Sequence, residues 1–429
     1  MLPMVTYGCL VWAKSIQKKT YFEKLKRVQG LALRTILGAQ RSTPIAAMEM
    51  ITNTLPLDLN IELKAVLAGK RLMKQGCWRK RSGEPGNTTA GWIEDLIYRQ
   101  HNHLVMPTDK GTLRRIKPLY ETHIKHRDDD GHNVVTDDDP AVINCFTDGS
   151  KNKEGHTGAA AFITNKNFQH HEKIYLGKLT SVFQAELVGI QLVIDFLRKR
   201  NTQGSKIVVN IDNQAAIKAL GGFVSNNSFV NKLKHQLNSI ADLNLVILNW
   251  LPGHMGYRGN EVADRMAKFA TTHPPLGCEP YLPVGSRKLE TLSKELMASK
   301  QNVRWKRLGT CKYTKRVFHE LRPRESRWVM KQSRGRLNRL TGFITGHCRL
   351  LSHQFKLGNS VTPICRLCEE EEETSWHILG ECPTISKQRF MTMGHCFLEG
   401  GGAGGQGSEM SLSTLMKFIA WADSHLETM

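Results

Sequence analysis

Apolar and polar residues alternate with different periods in different parts of the chain. In residues 22–36, apolar side chains recur about every 3.6 positions, which is typical of an amphipathic helix. From residue 142 onward, short apolar runs bounded by turn residues alternate with longer amphipathic runs. Three successive strands followed by the order α, β, α, α, β, α predict an α/β fold with a mixed five-stranded sheet flanked by helices.

The central pattern is regular enough to assign bounds to each element. The predicted strands are 142–147, 158–164, 169–176, 206–211 and 245–250. The predicted helices are 181–198, 214–220, 229–240 and a last helix that starts after Asn260. In that last helix we expect Asn260 to act as the N-cap and Glu261 to be stabilised by the helix dipole.

Composition divides the chain further. Residues 126–140 are acidic and polar with few apolar groups, which is typical of a linker. The predicted segments are 1–125, basic and α-helical; 126–140, the acidic linker; 141–273, the α/β domain; 286–360, basic and helical; 361–390, small and rich in Cys and His; and 398–429, a glycine-rich linker with a terminal helix.

The charge balance favours a polyanionic partner. Lys and Arg number 60 against 39 Asp and Glu, giving a formal net charge of +21. Nucleic acid is the first candidate, and a basic surface without a partner is the alternative. The excess is concentrated between Gln301 and Leu340, with 13 Lys or Arg against two Glu. We expect these basic flanks to bind nucleic acid with salt-dependent affinity and little sequence preference.

Membrane and secretory classes are not favoured. No apolar run approaches the roughly 18 residues that a spanning helix needs, and no cleavage site follows the apolar residues near the start. Ten cysteines at mostly unrelated spacings suit a reducing compartment better than a disulfide framework. We expect an intracellular protein without a membrane partner; nucleus and cytoplasm are both left open.

Four acidic residues occupy positions where an α/β sheet could bring them together. Asp148 ends the first strand, Glu186 lies one turn into the first domain helix, Asp212 follows the fourth strand, and Asp264 lies in the last helix. Strand ends and first helical turns meet at one sheet edge, so we expect convergence around a pair of hard cations. Oxygen ligands favour Mg²⁺, with Mn²⁺ as a substitute. Taken singly, each acid could equally be a solvated surface charge.

A second cluster has the spacing of a zinc site. The pattern Cys365-x2-Cys368-x8-His377-x4-Cys382 offers four donors for tetrahedral Zn²⁺, with unpaired structural thiols as the alternative. Residues 369–373 are all Glu, which argues against phosphate binding at this face. We therefore interpret the zinc as a structural ion that stabilises the local fold.

Several blocks of the central domain resemble type I ribonuclease H, in the form found in non-LTR retrotransposon polyproteins. The blocks are FTDGS (146–150), QAEL (184–187), IDNQAA (211–216), WLPGH (250–254) and GNEVAD (259–264). The resemblance implies two Mg²⁺ ions held by Asp148, Glu186, Asp212 and Asp264, with His254 as a mobile proton shuttle. It also implies nucleic-acid contacts from Gly149, Ser150, Gln184 and Asn213.

The ends of the chain resemble the same polyproteins. The block YGCLVW (7–12) and residues 41–44 are similar to the region after the polymerase palm, and the Cys/His cluster is similar to their zinc knuckle. This implies the C-terminal part of a longer protein, or a truncated copy, with residues 1–125 as thumb-like support and a reverse transcriptase supplied elsewhere. Where related enzymes carry a basic protrusion, only Lys232 and Lys234 stand here, so we expect substrate binding to depend on the basic flanks.

These features favour an endonuclease that hydrolyses the RNA strand of RNA–DNA hybrids by a two-metal-ion mechanism. The main alternative is a catalytically silent retrotransposon relic that only binds nucleic acid. A DNA-cutting integrase- or transposase-like enzyme is less favoured, since such enzymes typically use three acids and lack the His loop.

Overall fold

The computed structural model describes residues 2–74, 77, 88–124, 142–253, 255–277, 282–398 and 411–427. They form two compact units, one of Met1–His101 with Ser293–Met429 and the other of Asn102–Leu292. His254, the acidic linker 126–140 and the glycine-rich residues 400–407 lie outside the described residues. Among the described helices, none combines the length and apolar character that a membrane crossing requires.

The first unit begins with a series of helices, in agreement with the helical pattern predicted for residues 1–125 as far as residue 101. Residues 110–115 and 121–123 of that predicted helical segment instead form strands of the second unit. They are α1 (Leu2–Val5), α2 (Cys9–Trp12), α3 (Lys19–Leu37), α4 (Ile45–Thr52), α5 (Leu57–Lys74) and α6 (Thr89–Arg99).

The second unit contains the strands. Its elements are β1 (Lys110–Arg115), β2 (Glu121–His123), β3 (Val142–Lys151), β4 (Thr157–Asn165), β5 (Phe168–Gly177), α7 (Val182–Lys199), β6 (Lys206–Ile211), α8 (Gln214–Gly221), β7 (Val224–Asn227), α9 (Ser228–Ala241), β8 (Leu245–Trp250) and α10 (Arg258–Thr272).

The main sheet has six strands in the order β2-β8-β6-β3-β4-β5. Strands β3, β4 and β5 form an antiparallel meander, while β6 runs parallel to β3, β8 parallel to β6, and β2 parallel to β8. The predicted mixed sheet flanked by helices is confirmed, but with one strand more than the five predicted. The additional strand, β2, has only three residues, all exposed, so it carries no apolar alternation from which it could be predicted.

The main core lies between one face of this sheet and helices α7, α8 and α9. Alternate strand residues such as Ile143 and Cys145 point into it, as the two-residue period of a strand requires. Phe146 belongs instead to a small cluster with Leu251 and Ala263 of α10. That helix packs so closely that a Cβ added to Gly259 would lie 2.3 Å from the Phe146 ring. This packing sets the position of Asp264 relative to β3.

Helix α10 begins earlier than predicted. Its first residue is Arg258, and its N-cap position is Tyr257. Asn260 therefore lies inside the first turn, is buried, and does not cap the helix, so that prediction is wrong. Glu261 does lie in the first turn, as expected from the helix dipole.

The rest of the chain adds seven helices within the described residues: α11 (Ser286–Arg307), α12 (Lys312–Val317), α13 (Pro323–Val329), α14 (Arg334–Thr345), α15 (Leu351–Lys356), α16 (Ser386–Met393) and α17 (Leu412–Glu427). Leu37 and Met48, near the start of the chain, share one apolar core with Phe318, Leu340 and Phe418. Two segments treated separately at the sequence level thus fold as one unit.

Candidate active site

Three of the four predicted acids meet at one edge of the sheet. Asp148, Glu186 and Asp212 each have one carboxylate oxygen that lies within 4.8 Å of the corresponding oxygens of the other two residues. Strands β3 and β6 are parallel neighbours with Thr147 opposite Ile211, so the next residue of each chain segment, Asp148 or Asp212, emerges at the same level. Asp212 directly follows β6, whereas Asp148 lies within β3, which continues to Lys151 and does not end at this aspartate as predicted. The parallel register, not a shared strand end, brings the two acids together.

Close packing of α7 on β3 brings the third acid to this pair. A Cβ added to Gly149 would lie 2.4 Å from the backbone nitrogen of Glu186, and only glycine avoids this steric clash. A capping box also holds the start of α7: the Ser181 hydroxyl accepts from the Gln184 backbone amide, and the Gln184 side chain accepts from the Ser181 amide. The position of Glu186 therefore depends on both the glycine and the cap.

Burial makes the negative charges of this cluster costly. Glu186 is 4% exposed and Asp148 is 8% exposed. Burial, and then the neighbouring charges of Asp212 and Asp148, raise the pKa of Glu186 to about 9. Burial and the charges of Asp212 and Asp264 likewise raise the pKa of Asp148 to about 7. Hydrogen bonds from the Gly149 backbone amide oppose both shifts without cancelling them.

The same two side chains present oxygen atoms without a partner. Asp148 Oδ2 and Glu186 Oε2 are buried and accept no hydrogen bond from the described residues. A buried carboxylate oxygen of this kind is unfavourable unless a cation or a donor compensates it. Three oxygen donors around one point, all needing positive charge, suit a hard divalent cation such as Mg²⁺. The residues present therefore fit the metal that the sequence predicted.

Asp264 lies beside this group but is not one of the three. Its charge contributes to the raised pKa of Asp148, which places it close to that end of the cluster. Its Oδ2 accepts a hydrogen bond of 2.8 Å from Lys268 Nζ, one turn further along α10. The predicted gathering of all four acids is thus seen for three of them, with Asp264 adjacent and held by a lysine. Lys268 was missed at the sequence level, although its i, i+4 spacing from Asp264 is a signal for such a pair.

The glycine-rich loop after β8 passes close to Asp212. A Cβ added to Gly253 would lie 3.3 Å from Asp212 Oδ2, and Trp250 Nε1 donates to the Asp212 carbonyl over 3.0 Å. His254, the predicted proton shuttle, follows Gly253 directly in the chain but lies outside the described residues. Trp250 begins the WLPGH block, but its contact with Asp212 was not predicted, because a tryptophan at the end of a strand has the pattern of an ordinary core residue.

The residues predicted to contact nucleic acid lie at different distances along the chain from the acids and have different partners. Gly149 and Ser150 lie in β3 directly after Asp148. Asn213 caps α8, with its oxygen accepting from the amides of Ala215 and Ala216, and its side chain also hydrogen-bonds to Glu186.

Gln184 has a role that the sequence did not indicate. Its side chain is 2% exposed, and its Nε2 donates to the Pro283 carbonyl over 2.6 Å while its Oε1 serves the Ser181 cap. A direct contact to a bound duplex is therefore not available to it in this arrangement.

The four predicted zinc donors also meet. One donor atom each of Cys365, Cys368, His377 and Cys382 lies within 4.8 Å of the others, and Cys368 Sγ is 3.3 Å from His377 Nε2. A hydrogen bond between Cys365 and Cys382 raises the pKa of Cys365 to about 12 and lowers that of Cys382 to about 7, so Cys382 is the first of the pair to form the thiolate that binds metal. Glu371 Oε2 lies 3.3 Å from His377 Nδ1 and leaves Nε2 facing the sulfurs. This donor set fits tetrahedral Zn²⁺.

The acidic run inside this cluster is not uniformly solvated. Glu373 is fully buried, and its two carboxylate oxygens accept from Arg366 Nη2 and Nε over 2.7 and 2.9 Å. The last of the five glutamates therefore stabilises the fold around the Cys/His cluster instead of joining an exposed acidic face.

A comparison with known protein families agrees with this geometry. Residues 140–272 match the family model described as RNase H. The match covers β3 to α10, which is the part of the second unit that carries the acids and the loop. The chain therefore contains an RNase H domain at these residues. Such a domain indicates nuclease activity toward RNA–DNA hybrids and implies nucleic-acid binding, and enzymes of this family typically use Mg²⁺.

Proposed function

We propose that this domain is an endonuclease that hydrolyses the RNA strand of RNA–DNA hybrids, with Asp148, Glu186, Asp212 and Asp264 holding two Mg²⁺ ions. One observation carries the proposal: Asp148 and Glu186 are buried, each has a carboxylate oxygen without a hydrogen-bond partner, and one carboxylate oxygen of each lies within 4.8 Å of one of Asp212. A fold rarely retains such a cluster unless cations neutralise it.

The bound ions would supply Lewis-acid chemistry for an in-line displacement at phosphorus. The chain's own groups prepare the site for them. The Gly149 amide and the Asn213 side chain donate toward the buried acids and favour their charged forms. Lys268 donates to the Asp264 carboxylate over 2.8 Å. His254, next to the loop residue that passes Asp212, would accept and release the proton at the leaving group.

Selection of a hybrid requires contacts that recognise the 2′-hydroxyl groups of the RNA strand. The backbone at Gly149 and Ser150 and the amide of Asn213 flank the acids and are the groups that we propose for this role. Gln184 is left out of this proposal because its side chain is buried and engaged.

We further propose that the chain derives from the C-terminal part of a non-LTR retrotransposon polyprotein, in which a reverse transcriptase would supply the hybrid. The blocks at residues 7–12 and 41–44 and the Cys/His spacing support this origin. In that setting the first unit, with its basic residues, would bind nucleic acid and zinc would stabilise it. Residues 126–140 come between β2 and β3, two strands of one sheet in the second unit, so they would not serve as the linker between domains that the sequence predicted.

The nuclease proposal is tested with a labelled RNA–DNA hybrid. The purified full chain should cut the RNA strand with added Mg²⁺ and leave it intact in EDTA, while an Asp212→Asn variant should bind the hybrid without cutting it. Single-stranded RNA and double-stranded DNA of the same sequence serve as control substrates. If wild type binds the hybrid but does not cut it with Mg²⁺ or Mn²⁺, the chain is a silent relic and the enzymatic proposal fails.

The zinc site leads to a separate prediction. The purified protein should contain about one zinc per chain, and Cys382→Ser should lose it, because three remaining donors leave the tetrahedral site incomplete. We expect the Tm of the variant to fall by about 5–10 °C. Elemental analysis and thermal unfolding measure both effects. Cys77→Ser, at an exposed cysteine, is the matched control and should retain zinc; equal zinc content in the two variants would contradict the assignment.

A further inference from the structure

Strand β1 (Lys110–Arg115) lies ahead of the residues that match the RNase H family, yet it belongs to the same compact unit. It does not join the main sheet. It pairs antiparallel with β7 to form a separate two-stranded ribbon, in which Lys110 is opposite Asn227 and Arg115 is opposite Val224. We call this pair of strands the β1–β7 ribbon.

Several hydrogen bonds fasten the ribbon to the domain. The Asp109 carbonyl accepts from the Ser228 amide at 2.6 Å, and the Asp109 carboxylate accepts from the Asn227 side chain at 3.2 Å. At the other end, the Ile116 amide donates to the Phe223 carbonyl, and Tyr120 donates to the Leu220 carbonyl, each over 3.0 Å. The ribbon is therefore held at both ends of β1.

The ribbon presents unneutralised positive charge. All six residues of β1 are exposed, and Lys110, Arg114 and Arg115 have no acidic partner within the part of the chain that the structure describes. Large apolar side chains lie among these cations, with Leu113 64% and Phe223 54% exposed. Cations interleaved with exposed apolar and aromatic groups are typical of surfaces that contact a sugar–phosphate backbone and its bases.

The two lysines that the sequence offered in this region, Lys232 and Lys234, provide less exposed positive charge than the ribbon. Lys234 is fully buried, and its Nζ donates to the Gly222 carbonyl, so it cannot contact a ligand. Of the two lysines noted there, only Lys232 is exposed. The ribbon brings three further cations to the same region from a segment that precedes the family match.

Helix α8 sets the distance from the ribbon to the acids. It begins two residues after Asp212 and leads into β7 through a short turn. Its eight residues span about 12 Å at about 1.5 Å per residue. One strand of a duplex carries a phosphate about every 3.4 Å along its axis. A duplex that lies over the acids and runs along α8 would reach the near end of the ribbon about three to four base pairs away.

We infer that the β1–β7 ribbon is a second nucleic-acid contact, in which Lys110, Arg114 and Arg115 bind the phosphate backbone of the duplex a few base pairs from the cleavage position. The identity of that duplex as an RNA–DNA hybrid rests on the proposed function. The ribbon would help to hold the duplex in register over the acids, with its three cations supplied by residues that precede the matched domain.

The test compares two sets of three charge-neutralising substitutions in the full chain carrying Asp212→Asn, so that binding is measured without cleavage. One set is Lys110→Gln, Arg114→Gln and Arg115→Gln. The control set is Lys166→Gln, Arg198→Gln and Lys199→Gln, three exposed cations at the β4–β5 turn and the end of α7, the opposite end of the domain from the acids. Both sets remove the same charge.

We expect the ribbon set to raise the Kd for a 20-base-pair hybrid about tenfold at low salt. The slope of log Kd against log salt concentration should fall by an amount that corresponds to about two to three lost phosphate contacts. The control set should change the Kd less than twofold. A conservative set, Lys110→Arg with Arg114→Lys and Arg115→Lys, should restore binding, which separates lost charge from misfolding. Equal effects of the two neutral sets, or no effect of either, would overturn the inference.

Failure of the proposed function gives a different result. If the parent chain with Asp212 intact does not cut the hybrid but the ribbon set still weakens binding, the nuclease proposal fails and the ribbon contact stands. If the parent chain cuts normally and the ribbon set neither binds more weakly nor cuts more slowly, the ribbon inference fails alone.

Discussion

Replacing Glu186 with Gln should reduce Mg²⁺-dependent cleavage of an RNA–DNA hybrid by about a thousandfold or more. The substitution keeps the size of the side chain but removes one of the three carboxylates whose oxygens lie within 4.8 Å of one another. Glutamine cannot ionise when a cation binds, so the site loses affinity for the cations that we propose it holds. Single-turnover cleavage at saturating protein, over a range of Mg²⁺ concentrations, measures the loss separately from hybrid binding.

The same variant should be more stable than wild type when Mg²⁺ is absent. Burial first, and then neighbouring charge, raise the pKa of Glu186 to about 9, well above the usual range of a glutamate near 4.5. The folded state thus holds this proton more tightly than the unfolded state, so wild-type stability is full below about pH 4.5 and is lost as pH rises toward 9. At pH 7 the cost is about 3 kcal/mol, and Gln does not incur it.

Thermal unfolding in EDTA at several pH values measures this stability difference. Glu154→Gln is the matched control, since it is the same chemical change at a side chain that is 80% exposed. That control should leave both cleavage and Tm close to wild type. Cleavage by Glu186→Gln within tenfold of wild type would show that the buried acids are not the catalytic centre.

Gly149→Ala should cause the second large effect, because it disturbs the site without changing any functional group. The new Cβ would lie 2.4 Å from the Glu186 amide nitrogen and 2.7 Å from the Ala185 carbonyl carbon, both backbone atoms of α7. The helix must therefore shift away from β3 and carry Glu186 with it. A displacement of about 1 Å can cost about a hundredfold in rate, and overpacking costs about 1–3 kcal/mol of stability.

Cleavage rate and free energy of unfolding are measured together for this variant. Gly277→Ala is the control, since nothing lies within 4 Å of the Cβ that it would add. We expect the control to match wild type in both measurements. A Gly149→Ala protein with normal cleavage would mean that the contact between β3 and α7 does not determine where Glu186 lies.

Much of the central domain could be predicted from the sequence because its signals are local. Strands β6 and β8 have the bounds predicted for them, 206–211 and 245–250, since each is a short run of β-branched and apolar residues between turns. Asp148 and Asp212 were found because each directly follows or ends such a run. The Cys/His donors were found because their spacing along the chain is itself the feature that a tetrahedral site requires.

What the tertiary structure decided depends on residues that are far apart in sequence. Strands β1 and β2 exist because β7 and β8 are available to pair with them, and neither has an apolar alternation of its own. Lys234 and Gln184 look like exposed polar residues in the sequence, yet carbonyl groups at Gly222 and Pro283 accept their hydrogen bonds in the interior. The sequence determined which elements and acids this protein has, since these follow from local periodicity. Only folding decided which polar groups are buried and which face a ligand, because burial depends on what distant segments bring alongside.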